Sequence, residues 1–431
     1  MSKRYPGRHL SIPRVVVAVL VALSLCVAGT YWIQRSRYAS KSLPAPWFAG
    51  YVDVTATPSY TFESDVGSQY MNVVLGFVVA GKDGCSPSWG GYYTPSQAAS
   101  QLDLDSRVAQ VESSDRTVTI SFGGQKGSEL AQECSSSGSL YRQYASVINR
   151  YHVNSVDFDI EGSALGNSSA NKRRAEAVAR LVSERKADGG SLTVSLTVPV
   201  GRDGITSDTL SVIDLFLDAG VRIDNLNLMT MDYGVASSQT AQSDIIIDSL
   251  KAVHAQYRRI LYSHGLFYDS DQVWKLMGAT VLNGQNDTSN EFLTLDDAQK
   301  VNTFALSTSL GRLSMWSLNR DYQCGSNVDT DADVVSFCSG VKQTDGEYAQ
   351  VLAQGLTGIP GTLVDYSAAW KDTDSTVSYS KWDTSRRYVK GDKVVSDGNI
   401  YEATSPNVGV SPSSDQTDDE ESPWRLIGPA V

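Results

Sequence analysis

The chain has 431 residues, 41% of them hydrophobic and 19% charged, with 35 glycines and 13 prolines spread along it. That composition excludes a collagen, a coiled coil and a wholly disordered protein. Acids outnumber bases 48 to 36, and the resulting net charge of −12 argues against nucleic acid as the main partner.

The charge is unevenly placed. Lys3, Arg4, Arg8, Arg14, Arg35, Arg37 and Lys41 give residues 1–45 a net charge of +7 with no acid, which leaves −19 for the rest. Residues 1–13 form a basic segment. The next stretch, 14–34, carries no charge after Arg14 and is apolar from Val15 to Ala28. This order predicts a signal peptide or a single membrane anchor, and with it an extracellular or cell-envelope location. Cys26-Val27-Ala28 offers a small-residue cleavage site, whereas Leu25 before Cys26 does not suit a lipoprotein.

The other cysteines are Cys85, Cys134, Cys324 and Cys338, and sequence alone does not fix their partners. Cys324 and Cys338 flank one polar loop, while Cys85 and Cys134 lie in Ser/Gly-rich segments. The pairs Cys85–Cys134 and Cys324–Cys338 are therefore the expectation. No C-x-x-C pair is present, and histidine occurs only at 9, 152, 254 and 264, so neither a metal nor a cofactor is expected.

In chain order, β-prone runs cover 48–54, 72–79, 117–122, 155–160, 192–198, 225–231, 277–282 and 312–318. Amphipathic stretches at 140–151, 170–187, 243–262 and 295–310 lie between them. Thr294-Leu295-Asp296-Asp297 opens the last of these as a near capping box, and Gly189-Gly190 ends the one from Ala170. Eight β runs, mostly followed by helical ones, predict an α/β fold, a (β/α)8 TIM barrel over 46–360. A doubly wound open sheet is the competing arrangement. No G-x-G-x-x-G or G-x-x-x-x-G-K-[ST] follows any of these runs, so nothing supports nucleotide binding. Polar residues 361–380 read as a linker. Residues 381–431 read as a small all-β module, with an Asp397-Gly398 hairpin turn between runs at 393–395 and 399–403.

The chemistry concentrates in Val156-Asp157-Phe158-Asp159-Ile160-Glu161-Gly162. Alternate residues of a strand share a face, so Val156, Phe158 and Ile160 point one way and Asp157, Asp159 and Glu161 the other. Acids are poor strand formers, and side chains two apart on a strand lie about 6–7 Å from each other. Ionised neighbours at that range repel, which raises at least one carboxyl pKa and lets the group share a proton. A carboxyl kept protonated near neutral pH is what a general acid requires, and Glu161 falls at the strand's C-terminal end, where barrel active sites gather. The competing reading is a solvent-facing edge strand that merely carries acids.

The segment Asn154 to Glu161 resembles the D-x-x-D-x-D-x-E motif of glycoside hydrolase family 18 chitinases, with Asn154 where the first Asp is usual. Ser121-Phe122-Gly123-Gly124 looks like that family's S-x-G-G. Met229-Thr230-Met231-Asp232-Tyr233-Gly234 is similar to its M-x-Y-D motif, and Ser314-Met315-Trp316-Ser317 falls at the position of its pocket tryptophan. The resemblance implies a chitinase that cleaves the β-1,4 links of chitin, or of another N-acetylglucosamine-containing polysaccharide, by substrate-assisted retaining catalysis. Glu161 would be the acid/base, Asp159 would orient the acetamido group, Asp157 would tune the pair, and Tyr233 would hydrogen-bond the acetamido carbonyl. Trp316 would floor the sugar, with Met231, Asp232 and Asn283 as further substrate contacts. Asn286 and Asp287 read equally as sugar contacts or loop caps. Two alternatives stay open: a chitin-binding lectin on a catalytically dead barrel, and an endo-β-N-acetylglucosaminidase acting on glycoproteins. The tail resembles carbohydrate-binding modules of families 5 and 12, which implies sugar stacking by Trp382, Tyr401 and Trp424, although the usual tryptophan pair is replaced by Thr404-Ser405-Pro406-Asn407. A monomer is expected, with membrane contact only through the N-terminal segment.

Overall fold

In the computed structural model, residues 11–39, 43–64, 72–114, 116–326, 328, 335–361, 379–412 and 422–430 are described. The first element is helix α1 (Ile12–Ala39). The barrel wall begins with β1 (Trp47–Phe48) and β2 (Gly50–Asp53), followed by β3 (Asn72–Gly81) and its antiparallel partner β4 (Gly84–Trp89). Helices α2 (Pro95–Leu102) and α3 (Leu104–Glu112) lead to β5 (Thr117–Gly123), and α4 (Leu130–Glu133) and α5 (Ser137–Arg150) to β6 (Ser155–Asp159). Then come α6 (Gly162–Leu165), α7 (Ser168–Ala187), β7 (Thr193–Pro199), α8 (Ser207–Asp218) and β8 (Asn225–Met229). Helices α9 (Gln242–Ser263) and α10 (Ser270–Lys275) precede β9 (Met277–Leu282), the short hairpin β10 (Gly284–Gln285) and β11 (Phe292–Leu293), and α11 (Leu295–Thr308). β12 (Arg312–Trp316) and α12 (Glu347–Ala353) complete this part.

β1 and β2 are one strand interrupted at Ala49. β1 pairs in parallel with β12, and β2 with β3. The order β12-β9-β8-β7-β6-β5-β3 is parallel throughout, so the wall closes on itself as a barrel. Each of the eight sequence runs contributes one wall position. Two strands end earlier than their apolar pattern suggests, at Met229 and at Trp316. The helix boundaries follow local chemistry. Thr294 caps α11 through a full capping box with Asp297, and α7 stops just short of Gly189, whose φ is +80°.

The apolar face of β6 behaves as alternation requires. Val156, Phe158 and Ile160 are buried between wall and helices, where Phe158 stacks on Phe122 at 5.6 Å and meets Tyr144 edge-on at 5.2 Å. Both expected disulfides are present, Cys85–Cys134 joining β4 to the end of α4, and Cys324–Cys338 closing the loop after β12.

The N-terminal expectation needs correction in one half. No helix among the described residues is long and apolar enough to cross a membrane. The uncharged run from Val15 to Ile33 reaches only the lower limit of a span of about 20 residues and is diluted by Ser24, Gly29 and Thr30. The membrane anchor over 14–34 is therefore not supported.

The C-terminal part comprises β13 (Arg387–Tyr388) paired with β16 (Asn407–Val408), and a three-stranded sheet of β14 (Lys393–Ser396), β15 (Asn399–Ala403) and β17 (Trp424–Pro429). The Asp397-Gly398 turn has positive φ at both residues, +48° and +80°, as a tight hairpin demands. Its core is Tyr388, Val394, Tyr401, Ala403 and Trp424. Tyr401 and Trp424 are only 1% and 2% exposed, and the Trp424 indole N–H donates to Val410 O at 2.8 Å. These two rings therefore cannot stack on a sugar, which corrects the expectation drawn for them. A unit this small has few other large side chains with which to fill its interior. Trp382 is half-buried against the same core.

The sheet packs on the barrel through α3. Arg425 pairs with both Glu402 and the fully buried Glu63, which Arg107 also holds at 2.8 Å. Tyr379 donates to Asp103 at 2.6 Å, and Lys393 pairs with the same carboxylate. Most of the expected linker, 362–378, lies outside the described residues.

Candidate active site

Register places one rim of the barrel under every candidate side chain. Gly123 stands opposite Asp159, Asp159 opposite Thr197, Met229 opposite Thr280, and Leu282 opposite Trp316. These are the C-terminal ends of the strands, where a parallel barrel presents its loops.

Below the rim the interior is polar and tightly wired. Asp157 accepts hydrogen bonds from Tyr51 (2.9 Å), Ser121 (2.7 Å) and Thr197 (2.7 Å), and lies 3.7 Å from the Arg312 guanidinium. Asn227 donates to Thr197 at 3.0 Å and Thr280 at 2.6 Å. Arg312 itself is fully buried, sits 5.0 Å from the Trp47 ring and donates from Nε to Ser314. Asp157 is thus a buried acid held by three hydroxyls and a guanidinium, consistent with a supporting part.

One step nearer the mouth, Asp159 is 4% exposed, and among the described residues its Oδ1 has no hydrogen-bond partner. Burial pushes its carboxyl well above the usual range; Glu161 and then Asp157 push in the same direction, and Arg312 opposes them. Glu161 is half-buried just past the strand end. Burial, followed by the charges of Asp232 and Asp287, raises its carboxyl to about 7. Two carboxyls two residues apart are thus both lifted by loss of water and by nearby negative charge, Asp159 by Glu161 and Asp157, Glu161 by Asp232 and Asp287.

The motif Ser121 to Gly124 makes this crowding possible. Gly124 N donates to Asp159 O at 3.0 Å. Gly123 has φ +109°, and a Cβ there would lie 2.0 Å from that same carbonyl. Only glycine lets β5 come this close.

Trp316 closes one side of the mouth, stacked on Phe77 at 5.2 Å and edge-on to Tyr51 at 6.0 Å. It is half-buried, so part of the ring remains exposed at the rim.

The loop after β8 departs from expectation. Asp232 takes a left-handed conformation, φ +55°, which ends the strand's alternation and redirects the chain beyond it. The Tyr233 ring packs onto the core between wall and helices, and its hydroxyl lies beside Ser249 of α9. The sequence pattern assigned Tyr233 the acetamido carbonyl; here its buried hydroxyl faces α9 and has no hydrogen-bond partner among the described residues. Asp232 stays at the rim instead, where its Oδ1 accepts the backbone N–H of Asp287 (2.8 Å) and Thr288 (3.2 Å). Tyr233→Phe should leave kcat within about twofold, because the hydroxyl faces α9; a steady-state assay checks this, and a loss of the size catalytic protons give, about 10²-fold or more, would restore the tyrosine.

The loop after β9 interlocks with it. Asn286 is a brace: its Oδ1 accepts Asp232 N at 3.1 Å and its Nδ2 donates to Gly284 O at 3.1 Å. Glu291 accepts the N–H groups of Tyr233 and Gly234, both at 2.9 Å. Asn283 is fully buried, and its amide has no hydrogen-bond partner among the described residues. Met231 is half-buried just beyond the strand end. Asp287 is the residue here with a part in the site, through its charge on Glu161. Sequence reasoning missed Tyr51, Thr197, Asn227 and Arg312. Their signal was a polar residue at alternate positions within otherwise apolar strands.

The family model described as glycosyl hydrolases family 18 matches residues 31–262, more than half of the chain. The chain belongs to glycosyl hydrolase family 18. This family 18 chain is 28% identical over 308 residues to a probable bifunctional chitinase/lysozyme of Escherichia coli (strain K12), covering 69% of this chain and 33% of that protein. It is 27% identical over 299 residues to Endochitinase 11 of Metarhizium anisopliae, covering 67% of this chain and 55% of that one. It thus spans a third and about half of the length of these two curated relatives. Among solved structures, a catalytic-site mutant of active domain 2 of a thermostable chitinase from Pyrococcus furiosus, complexed with chito-oligosaccharides, superposes with a TM-score of 0.62 at 24% identity. That match covers 78% of this chain and 98% of the other. The catalytic domain of a hyperthermophilic chitinase from the same organism gives 0.60 at 23% identity, covering 77% and 98%. At these identities the likeness is one of fold.

Proposed function

We propose that this family 18 protein is a chitinase that hydrolyses β-1,4 links between N-acetylglucosamine units by substrate-assisted catalysis with retention. The observation that carries this reading is the buried, unpartnered Oδ1 of Asp159, two residues before Glu161 and at the same C-terminal rim of the barrel strands as Trp316. It is an acceptor without a donor, where a sugar resting on the aromatic floor would bring its acetamido N–H.

Glu161, protonated near neutral pH, gives its proton to the glycosidic oxygen as the C1–O bond breaks. The acetamido carbonyl oxygen attacks C1 from the opposite face and forms an oxazolinium ion, whose N–H is held by Asp159. Arg312 and the hydroxyls around Asp157 keep that lower acid fixed, so Asp159 keeps a negatively charged neighbour while the ring carries positive charge. Water then adds at C1 and gives its proton to Glu161, and the product leaves with its original β configuration. Two inversions at one carbon predict retention. Proton NMR of fresh digests of chitotetraose should show β-anomer in excess before mutarotation, and α-anomer in excess would rule the mechanism out.

We further propose export. The basic leader and its apolar run of about 14 residues suit a cleavable signal, and two cross-links are in keeping with an oxidising destination. For the C-terminal sheet, the resemblance to families 5 and 12 supports carbohydrate binding that does not use Tyr401 or Trp424. Trp382 is the candidate that remains.

A further inference from the structure

Glu161 makes no side-chain hydrogen bond to the helix it caps, so the backbone on either side sets where its carboxyl lies. Asp159, the last residue of β6, stands on one side. On the other is the single turn α6, whose Ala164 N donates to Glu161 O at 3.1 Å. The far end of that turn is held from within. Asn171, in the first turn of α7, donates from Nδ2 to Leu165 O at 2.8 Å and to Ala164 O at 3.2 Å. Its Oδ1 accepts from Arg174 Nη1, three residues further along the helix. Arg174 in turn forms an ion pair with Glu129, the residue that opens α4. Asn171 and Arg174 are each 1% exposed, and Glu129 is 4% exposed. Arg173 joins the same two helices again, donating from Nη2 to Ala131 O at 2.9 Å.

Glu129 also stands behind the other acid. A Cβ on Gly123 would lie 3.0 Å from its Oε1 and 2.0 Å from Asp159 O, so carboxylate and carbonyl flank one bare Cα. A buried ion pair loses hydration on both partners, and apolar residues of like volume often serve stability as well or better. What the pair supplies here is direction. Arg174 fixes which way the Asn171 amide points, and the amide gives its N–H groups to carbonyls left open at the end of α6. We infer that Glu129, Arg174 and Asn171 are positioning residues, which hold α6 in place and so set where the Glu161 carboxyl meets the glycosidic oxygen. This rests on the reading of Glu161 as proton donor, but hydrogen exchange in α6 tests the tie without turnover.

A displaced donor slows protonation without loosening the sugar. Asn171→Leu removes the amide in nearly the same volume. Its kcat on chitotetraose should fall by about 10- to 10²-fold with KM held within about twofold. The amides of residues 162–165 should exchange about tenfold faster. Asn302→Leu is the matched control, because Asn302 Nδ2 bridges Leu352 O and Gln354 O, both at 2.9 Å, from α11 to the end of α12. It should lower Tm by a similar amount, keep kcat within about twofold and leave exchange in α6 as in wild type. Asn171→Asp keeps an acceptor for Arg174 but has no amide to donate. It should behave as Asn171→Leu does, and it decides the matter should the Leu variant fail to fold. Unchanged exchange in α6 overturns the inference, and so does a wild-type kcat, or a loss of kcat that Asn302→Leu reproduces at equal loss of Tm. A wild type without hydrolysis would retire the proton-donor reading, while faster exchange confined to α6 would still show that Asn171 fixes this turn.

Discussion

Glu161→Gln is expected to lower kcat on a fluorogenic chito-oligosaccharide by about 10³-fold, with KM little changed and the fold intact. The amide is nearly isosteric but has no proton to give, and the remaining site still binds and orients the sugar. The same change should stabilise the protein in a pH-dependent way. The Glu161 carboxyl titrates at about 7 in the folded chain, above its ordinary value in the unfolded one. Below the unfolded pKa both states are protonated and the acid costs nothing. As pH rises through the folded value, the cost of an ionised, crowded glutamate appears in full. The Gln variant escapes it, so it should exceed wild type by up to about 3 kcal/mol at pH 8 and match it at pH 4. Thermal unfolding at the two pH values checks the sign, and an equal offset at both would show that Glu161 is not strained by its neighbours.

Arg312→Met should be the most damaging single substitution in the barrel interior. It leaves Asp157 and Asp159 buried without a counter-charge. Removing one partner of such a pair costs about 3–5 kcal/mol, and Tm should fall by about 10 °C. Activity should fall as well, because Asp159 loses the charge that favours its anion. Arg312→Lys should recover part of the stability, since it restores charge without the fork. A Met variant as stable as wild type would mean that the hydroxyls around Asp157 suffice alone.

Much of this was legible before any coordinates. The eight wall strands follow apolar runs, because a parallel strand buried on both faces cannot hide its composition. The alternation from Val156 to Glu161 told which side chains enter the barrel, since period two survives as long as the strand does. It failed three residues past the end of β8. There Asp232 turns left-handed, the phase is lost, and Tyr233 swings under α9 while the aspartate holds the rim. The interior pairing of Arg312 with Asp157 joins residues 155 positions apart, and no local pattern announces such a contact. Tyr401 and Trp424 illustrate a different limit. Aromatic residues in a short β unit serve equally for a core or a sugar platform, and only burial separates the two.

The account turns on Glu161 acting as an acid tuned by crowded neighbours, and the pH dependence of kcat/KM for wild-type hydrolysis of chitotetraose tests it most directly. Rate should be lost on the alkaline side with a midpoint near 7. Asp232→Asn or Asp287→Asn, each removing one negative neighbour, should move that midpoint toward lower pH. A profile that stays level well above neutrality, or an alkaline limb indifferent to both substitutions, would contradict the claim.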